Sequence, residues 1–447
     1  MTLDAAGRQP RKVGAIPAHL RQAGAPAFWG VVILTGVGAG LCAVLLMTLL
    51  FAVQRLVWSA HGPDIVAAAA SAPPPRHMAA LVGAGALTGL GQYLLTRLAS
   101  GNAIETTTAL WFAAGRMPGL RTLGSAVLSI VVVGMGASLG REGAPKQAGA
   151  VIANVLCDRA RLCDEQRKLI VACGAGAGMA AVYDVPLGGA LFALEVLRGS
   201  LSLRLALPAL AASIAATLSA RIALPDAPVY HVSADANSAS VLVFALLCGP
   251  ALGLAAVFYV RMIALADRIR PKGYLRLIAP VLAFAALGAL SIPFPQLLGN
   301  GQDLTQSTLD GAAPLLLLAA LLALKPFATF ICLGSGAPGG LFTPSLTFGA
   351  LCGATLGGLW TMLWPGPAAG AFALIGAGAV LAATTQGPIS AAILLIELTG
   401  RDRAFIAPLL LAIVGACAVA RTIDLRSIYD ARLSDEQLYA RAAARGN

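Results

Sequence analysis

Between Pro326 and Ile396 the chain contains no Asp, Glu, Lys, Arg or His. About 20 apolar residues suffice to cross the roughly 30 Å hydrocarbon core of a bilayer as one helix, so this stretch is too long for a single span. It is interrupted by G-S-G-A-P-G-G at 334–340, W-P-G-P at 364–367 and Q-G-P at 386–388, sequences that stop helices. The segment must break and re-enter. Lipid offers no hydrogen bonds, so non-helical backbone at that depth is tolerated only where protein buries it or where it lines a polar cavity. Broken helices of this kind point to a conduit.

The rest of the chain agrees. Of 447 residues, 58% are hydrophobic and only 11% charged, with a mean hydropathy of +0.81, which excludes a soluble, secreted or disordered protein. Apolar stretches cover about 27–53, 78–96, 122–140, 147–157, 169–194, 205–220, 236–260, 277–302, 311–324, 326–396 and 404–420. The net charge of +11 sits in short loops and tails, so it records membrane topology and not a nucleic-acid partner.

The tail 1–24 holds Arg8, Arg11, Lys12 and Arg21 against Asp4, lacks the features of a removable signal peptide, and is expected on the cytoplasmic side. Arg261, Arg268, Arg270, Lys272 and Arg276 against Asp267 mark 261–276 as a basic linker on the same side. That linker divides a first half at 25–260 from a second half at 277–422. Residues 423–447 remain for a last short helix and a cytoplasmic tail, too few for an appended regulatory module. The eight cysteines form no C-x-x-C pair and read as small core residues. His19, His61, His77 and His231 share no ligand spacing, so no metal site and no cofactor is expected.

Sliding the chain against itself by 202 residues places Gly174, Ala175, Gly176, Ala177, Ala180, Ala181, Pro186, Ala190 and Glu195 over Gly376, Ala377, Gly378, Ala379, Ala382, Ala383, Pro388, Ala392 and Glu397, nine identities in 22 positions. An offset of 200 just upstream aligns Gly140, Gly149 and Ala150 with Gly340, Gly349 and Ala350. Two related halves in a membrane protein place a binding site at their interface near the midplane, built from discontinuous helices. Sequence similarity leaves open whether the halves are parallel or inverted.

At that interface Gly140-Arg141-Glu142-Gly143-Ala144-Pro145 puts a charged pair between two membrane segments. An ionisable group costs about 2.5–3.5 kcal/mol at the bilayer centre on insertion scales, so an acid there is by default a functional group facing a cavity. Its partner, Gly339-Gly340-Leu341-Phe342-Thr343-Pro344, is uncharged, yet its glycines and proline again describe a turn that opens a helix. The first turn of a helix leaves N–H groups unpaired, and the macrodipole adds roughly half a positive charge. Two such ends converging would hold an anion without a buried cation.

These segments, G-R-E-G-A-P at 140–145 and G-G-L-F-T-P at 339–344, closely resemble two signature segments of the CLC family of chloride channels and proton/chloride exchangers. The repeat, the span pattern, the chain length and a late tyrosine in Arg426-Ser427-Ile428-Tyr429-Asp430 agree with that family's transmembrane core over about residues 25–435. The carboxy-terminal nucleotide-binding (CBS) modules of some relatives are not expected here. The resemblance implies an all-α polytopic membrane protein with a CLC-like inverted repeat of tilted, broken and re-entrant helices. It also implies a homodimer in the cell membrane, each subunit with its own anion path.

By motif, Glu142 resembles the external gating glutamate, whose carboxylate competes with the anion for its site and leaves when protonated. Leu341 and Phe342 would offer backbone N–H groups to the central anion and Tyr429 its hydroxyl, while Arg141 and Gly143 match backbone donors at the outer site. A further signature is recognisable in Ala99-Ser100-Gly101-Asn102-Ala103, without its proline, where Ser100 matches the serine that coordinates the anion. Ala144 between Gly143 and Pro145 departs from the family pattern. Lys146, which follows directly, is expected to add positive potential at the gate.

In exchangers of the family a second, internal glutamate often relays protons. Aligning the proline and the first acid of Asp184-Val185-Pro186-Leu187-Gly188-Gly189-Ala190-Leu191-Phe192-Ala193-Leu194-Glu195-Val196 leaves Val196 at the relay position, and valine carries no proton. Glu195 points about 100° away around a helix, and its repeat counterpart Glu397 suggests that both cap or pair at helix ends. The sequence is therefore read as a passive chloride channel gated by Glu142, with proton-coupled anion exchange as the alternative. Chloride or a similar small anion, and protons in the exchanger, are the transported partners. A membrane-embedded enzyme would need a metal cluster, a nucleophile–base pair or paired intramembrane acids, and none is visible. A cation-coupled solute transporter would place acids within its broken helices, where Glu142 stands alone.

Overall fold

A computed structural model describes residues 25–60, 64–98, 105–232, 238–311, 313–364, 369–400, 403–430, 433 and 436–437. The chain opens with α1 (Ala25–Trp58) and the short α2 (Ile65–Ala70), followed by α3 (Pro74–Leu98), α4 (Thr106–Phe112), α5 (Gly119–Gly134), α6 (Gly143–Arg159) and α7 (Asp164–Tyr183). Next come α8 (Pro186–Leu191), continued by a π-helical segment Phe192–Arg198, and α9 (Leu203–Ala220). A second series follows: α10 (Ala239–Arg268), α11 (Leu275–Ser291), α12 (Gln302–Leu309), α13 (Leu315–Gly334), α14 (Phe342–Leu363), α15 (Ala369–Thr385), α16 (Pro388–Thr399) and α17 (Ile406–Ile423). Among the described residues the fold is all-α. Seven helices, α1, α3, α9, α10, α13, α14 and α17, are long and apolar enough to cross a membrane. Leu45, Leu56, Leu203 and Leu316 stand exposed on them, which suits a face solvated by lipid.

Apart from α2, the two series match in order, α1 with α10 through α9 with α17. The basic stretch begins inside α10, which runs to Arg268, and there Arg261 reaches Asp424 Oδ2 at 3.2 Å. Long basic side chains at a helix end carry their charge to the interface while their stems lie along apolar surface. At the other end α17 runs to Ile423, and Tyr429 lies beyond it in a turn instead of the short helix expected there. Asp430 Oδ2 holds that turn by accepting from the Ser427 N–H at 3.2 Å and the Ser427 hydroxyl at 2.6 Å.

Small residues let the repeat units close. A Cβ on Gly149 would strike the Gly174 carbonyl and one on Gly174 the Gly149 carbonyl, and Gly349 and Gly376 stand in the same mutual relation between α14 and α15. Lipid is as apolar as leucine, so helices in it associate through such close backbone approach. The halves are also tied by reciprocal caps. Glu195 accepts from the N–H groups of Ile389 (3.2 Å) and Ser390 (2.6 Å) at the start of α16. Glu397 accepts from Leu187 (3.0 Å) and Gly188 (2.6 Å) at the start of α8. Pro186 and Pro388 open these helices at the position where a missing N–H costs nothing. The carboxylates satisfy the unpaired amides that follow and complement the helix dipole.

Candidate anion site

The two signature turns meet. Gly140 and Gly340 form an isolated antiparallel bridge, each N–H donating to the other's carbonyl oxygen at 2.8 Å. From this bridge the chain turns into α6 on one side and α14 on the other, so two helix N-termini start beside a single point. Glu142 immediately precedes α6 and is buried at 4% exposure. Its Oε1 accepts from the Phe342 N–H at 2.7 Å, and its Oε2 accepts from the Thr343 hydroxyl at 3.0 Å and the Tyr183 hydroxyl at 3.3 Å. The two hydroxyls lie 2.7 Å apart. A Cβ on Gly140 or Gly340 would run into the carboxylate, so the glycines make the room it occupies.

Arg141 directly follows the bridge residue Gly140. Its guanidinium lies 5.3 Å from the centroid of the Tyr183 ring, and its Nε has no hydrogen-bond partner among the described residues. Arg141 and Tyr183 line a cavity of about 220 Å³ with Asp184, Arg221, Gln302 and Phe51 among its other walls. Arg221 is held by Asp184 through Nε at 2.8 Å and a second nitrogen at 2.9 Å, and these hydrogen bonds raise its pKa above the ordinary arginine value.

On another side of α6, Lys146 points toward Tyr429. Its Nζ is 3.1 Å from Glu105 Oε1 and 4.5 Å from the centroid of the Tyr429 ring, with both charged side chains largely buried. Glu105 in turn accepts from the Thr107 N–H at 2.7 Å and so caps α4. The positive potential expected of Lys146 at the gate is therefore largely spent on a buried carboxylate that the sequence did not connect to it. Tyr429 also meets the Phe192 ring edge-on at 5.6 Å.

Of the residues singled out from the sequence, Glu142, Gly143, Leu341 and Phe342 come together at the bridge. Arg141 begins there and aims its side chain into the cavity, and Tyr429 stands against Lys146 and Phe192. Val196 is buried at 2% exposure, and neighbouring Glu195 is occupied as a cap. Ser100 lies outside the described residues. Tyr183 and Thr343 were not anticipated as site residues. Thr343 stands inside the second signature turn, but Tyr183 ends a Gly/Ala-rich helix and gives no sequence signal of its own.

Helix N-termini from two related halves, with main-chain and hydroxyl donors gathered on one buried carboxylate, define a polytopic membrane protein built to handle a small anion. The sequence family described as voltage gated chloride channel matches residues 84–421. The chain is 35% identical over 333 residues to the voltage-gated ClC-type chloride channel ClcB of Escherichia coli (strain SMS-3-5 / SECEC), covering 69% of this chain and 74% of that one. It is 31% identical over 405 residues to a ClcB-like chloride channel protein of Ralstonia nicotianae, covering 87% and 93%. The chain belongs to the CLC voltage-gated chloride channel family, and CLC-type anion transport across a membrane is its work. Two solved structures share its fold, each at 22% identity. One is a slow cyanobacterial Cl⁻/H⁺ antiporter, with a TM-score of 0.79 over 94% of this chain and 98% of that one. The other is a CLC-type fluoride/proton antiporter, with a TM-score of 0.71 over 91% and 98%. The architecture is thus the CLC inverted repeat.

Proposed function

We propose that the chain exchanges a small anion, chloride foremost, for protons, and that Glu142 both displaces the anion and carries the proton. One observation supports this above the others. The Glu142 carboxylate holds the Phe342 N–H at 2.7 Å, the donor that the family resemblance assigns to the central anion. An anion and a carboxylate cannot both occupy that donor. Protonation removes the charge that holds Glu142 there, so anion entry and proton binding are linked. Both solved neighbours cited above are described as proton-coupled antiporters, which favours exchange over the passive conduction expected from Val196 alone. In this reading the main-chain N–H groups of Arg141, Gly143 and Leu341, the Tyr429 hydroxyl and Ser100 complete the anion path.

Passive conduction gated by Glu142 is the second reading, favoured by the buried Val196 at the relay position. Reconstitution into liposomes under a chloride gradient decides between them. Protons driven against their own gradient support exchange, and chloride flux with no proton movement supports a channel. Glu142→Gln is expected to abolish the pH response in either case. A full response in that variant would show that another group titrates.

The proposal includes a homodimer with cytoplasmic termini. Leu187 and Ile389, at equivalent places on α8 and α16, are about half exposed, and Leu207, Ile214, Leu218 and Val414 extend that apolar face along α9 and α17. The basic residues of the tail argue for the side. Cross-linking in native membranes that yields monomer alone would remove the dimer from the proposal.

A further inference from the structure

Two hydroxyls, 2.7 Å from each other, share the Glu142 carboxylate with the Phe342 N–H. A threonine inside a helix ordinarily returns its hydroxyl to the carbonyl four residues earlier, as Thr347 does to the Thr343 carbonyl at 2.9 Å. Thr343 is the second residue of α14, so the residue four earlier, Gly339, lies outside the helix. Its hydroxyl is instead presented to the site. Tyr183 ends α7 at 3% exposure, its ring centroid 5.3 Å from the Arg141 guanidinium and 6.0 Å from the centroid of the Phe342 ring. The same residue lines the cavity beside Arg141 and reaches Glu142 Oε2, so Tyr183 connects that cavity with the carboxylate.

We infer that Tyr183 and Thr343 are ligands of the transported anion and set which anion is preferred. The inference rests on the reading of Glu142 as the gate. When the carboxylate leaves, the Phe342 N–H, the Thr343 O–H and the Tyr183 O–H remain converged on the place of its oxygens. One hydroxyl can then donate to the other across 2.7 Å, which leaves the second hydroxyl proton and the Phe342 N–H unpaired. Buried donors without a partner are costly, and an arriving anion supplies one. The glycines at 140 and 340 keep that space clear of side chains. Selectivity in a filter follows the number and field strength of the dipoles that replace the hydration shell. Two hydroxyls beside an N–H offset the desolvation of a small, strongly hydrated anion better than main chain alone. The site therefore favours chloride over nitrate and iodide.

The test uses the full chain with Tyr183→Phe, Thr343→Val and the pair, each in a Glu142→Ala background. With the carboxylate gone, any change reports the anion's own ligands. Chloride affinity is read by titration calorimetry in detergent, and chloride, nitrate and iodide fluxes are read in liposomes. Each substitution is expected to weaken chloride binding by about tenfold or more, the size of one hydrogen bond to a charged group, and to move the flux ratio toward nitrate. Thr343→Ser, which keeps the hydroxyl, is expected to retain both. Native chloride affinity and an unchanged flux ratio in both single variants would overturn the inference. Tyr183→Phe removes one oxygen and keeps the ring, so it decides alone if Thr343→Val fails to fold. The gate reading is judged separately. If Glu142→Ala leaves the pH response of transport intact, that reading fails, while the affinities of the hydroxyl series still say whether these side chains bind the anion.

Discussion

Gly140 and Gly340 each give an N–H to the other's carbonyl at 2.8 Å, a reciprocal pairing that puts the bridge on the pseudo-two-fold relation between the halves. Any side chain on either residue would collide with the Glu142 carboxylate. Gly340→Ala is therefore expected to evict the carboxylate and to crowd the anion as well, weakening chloride binding by about tenfold in line with the usual cost of overpacking. The pH response of transport should flatten with it. Adding Glu142→Ala should recover part of the binding, because the new methyl then has no carboxylate to avoid. Calorimetry on the single and double variants checks this, and native affinity with a native pH response in Gly340→Ala would show that the space is not used as argued.

Glu195 and Glu397 give a second, stability-directed expectation. Each carboxylate satisfies two helix-opening amides of the opposite half, and Glu195 also accepts from the Ser390 hydroxyl at 2.6 Å. Glu195→Ala and Glu397→Ala should each cost roughly 1–2 kcal/mol, the usual price of a lost cap, with the Gln variants milder because an acceptor remains. Thermal unfolding in detergent reads the cost. The coupling of chloride to protons should not change, so an altered stoichiometry with unaltered stability would mean that Glu195 serves the proton path after all.

Much of this was legible because membrane chemistry penalises what it does not use. Glu142 stood out as an acid between apolar spans, and the Pro-to-Glu spacing shared by 186–195 and 388–397 anticipated paired helix caps. The hydroxyls carried no such signal. A tyrosine at the end of a Gly/Ala-rich helix and a threonine in a turn are ordinary in sequence, and only the fold brings Tyr183 and Thr343 to 2.7 Å. The partner of Lys146 was hidden for the same reason, since Glu105 lies 41 residues away.

The Lys146 and Glu105 pair has its own signature. Removing one member of a buried ion pair leaves the other uncompensated and typically costs about 3–5 kcal/mol, whereas replacing both is far milder. Lys146→Met should destabilise the protein strongly and Lys146→Met with Glu105→Gln much less. The single variant leaves a net negative charge beside α6, which discourages a second one on Glu142, so the pH midpoint of transport should move upward and return in the double variant. Unfolding curves and flux against pH on the same three proteins check both parts. Additive stability losses would mean that the two residues do not act as a pair.

The start of α2 offers a pH-dependent test away from the anion path. Asp64 caps that helix by accepting from the Ala67 N–H at 2.9 Å, and Asp303, from the short α12, accepts from the N–H groups of Ile65 (3.0 Å) and Val66 (3.3 Å). Two carboxylates thus crowd one helix end. The nearby ammonium of Lys325 is engaged by the carbonyls of Leu297 (2.9 Å) and Gly299 (3.1 Å). Burial, followed by the Asp64 charge, pushes Asp303 up to about 6, above the ordinary carboxylate value. The folded protein then holds this proton more tightly than the unfolded chain does. Its contribution to stability is present in full below about pH 4, declines as pH rises through about 6 and is absent above, a change on the order of 2 kcal/mol. Asp303→Asn keeps an acceptor for the α2 amides and has no proton to lose, so its stability should hold level where the parent's falls. Melting temperatures across pH 4.5–7.5 decide, and parallel profiles for parent and variant would show that Asp303 ionises without cost.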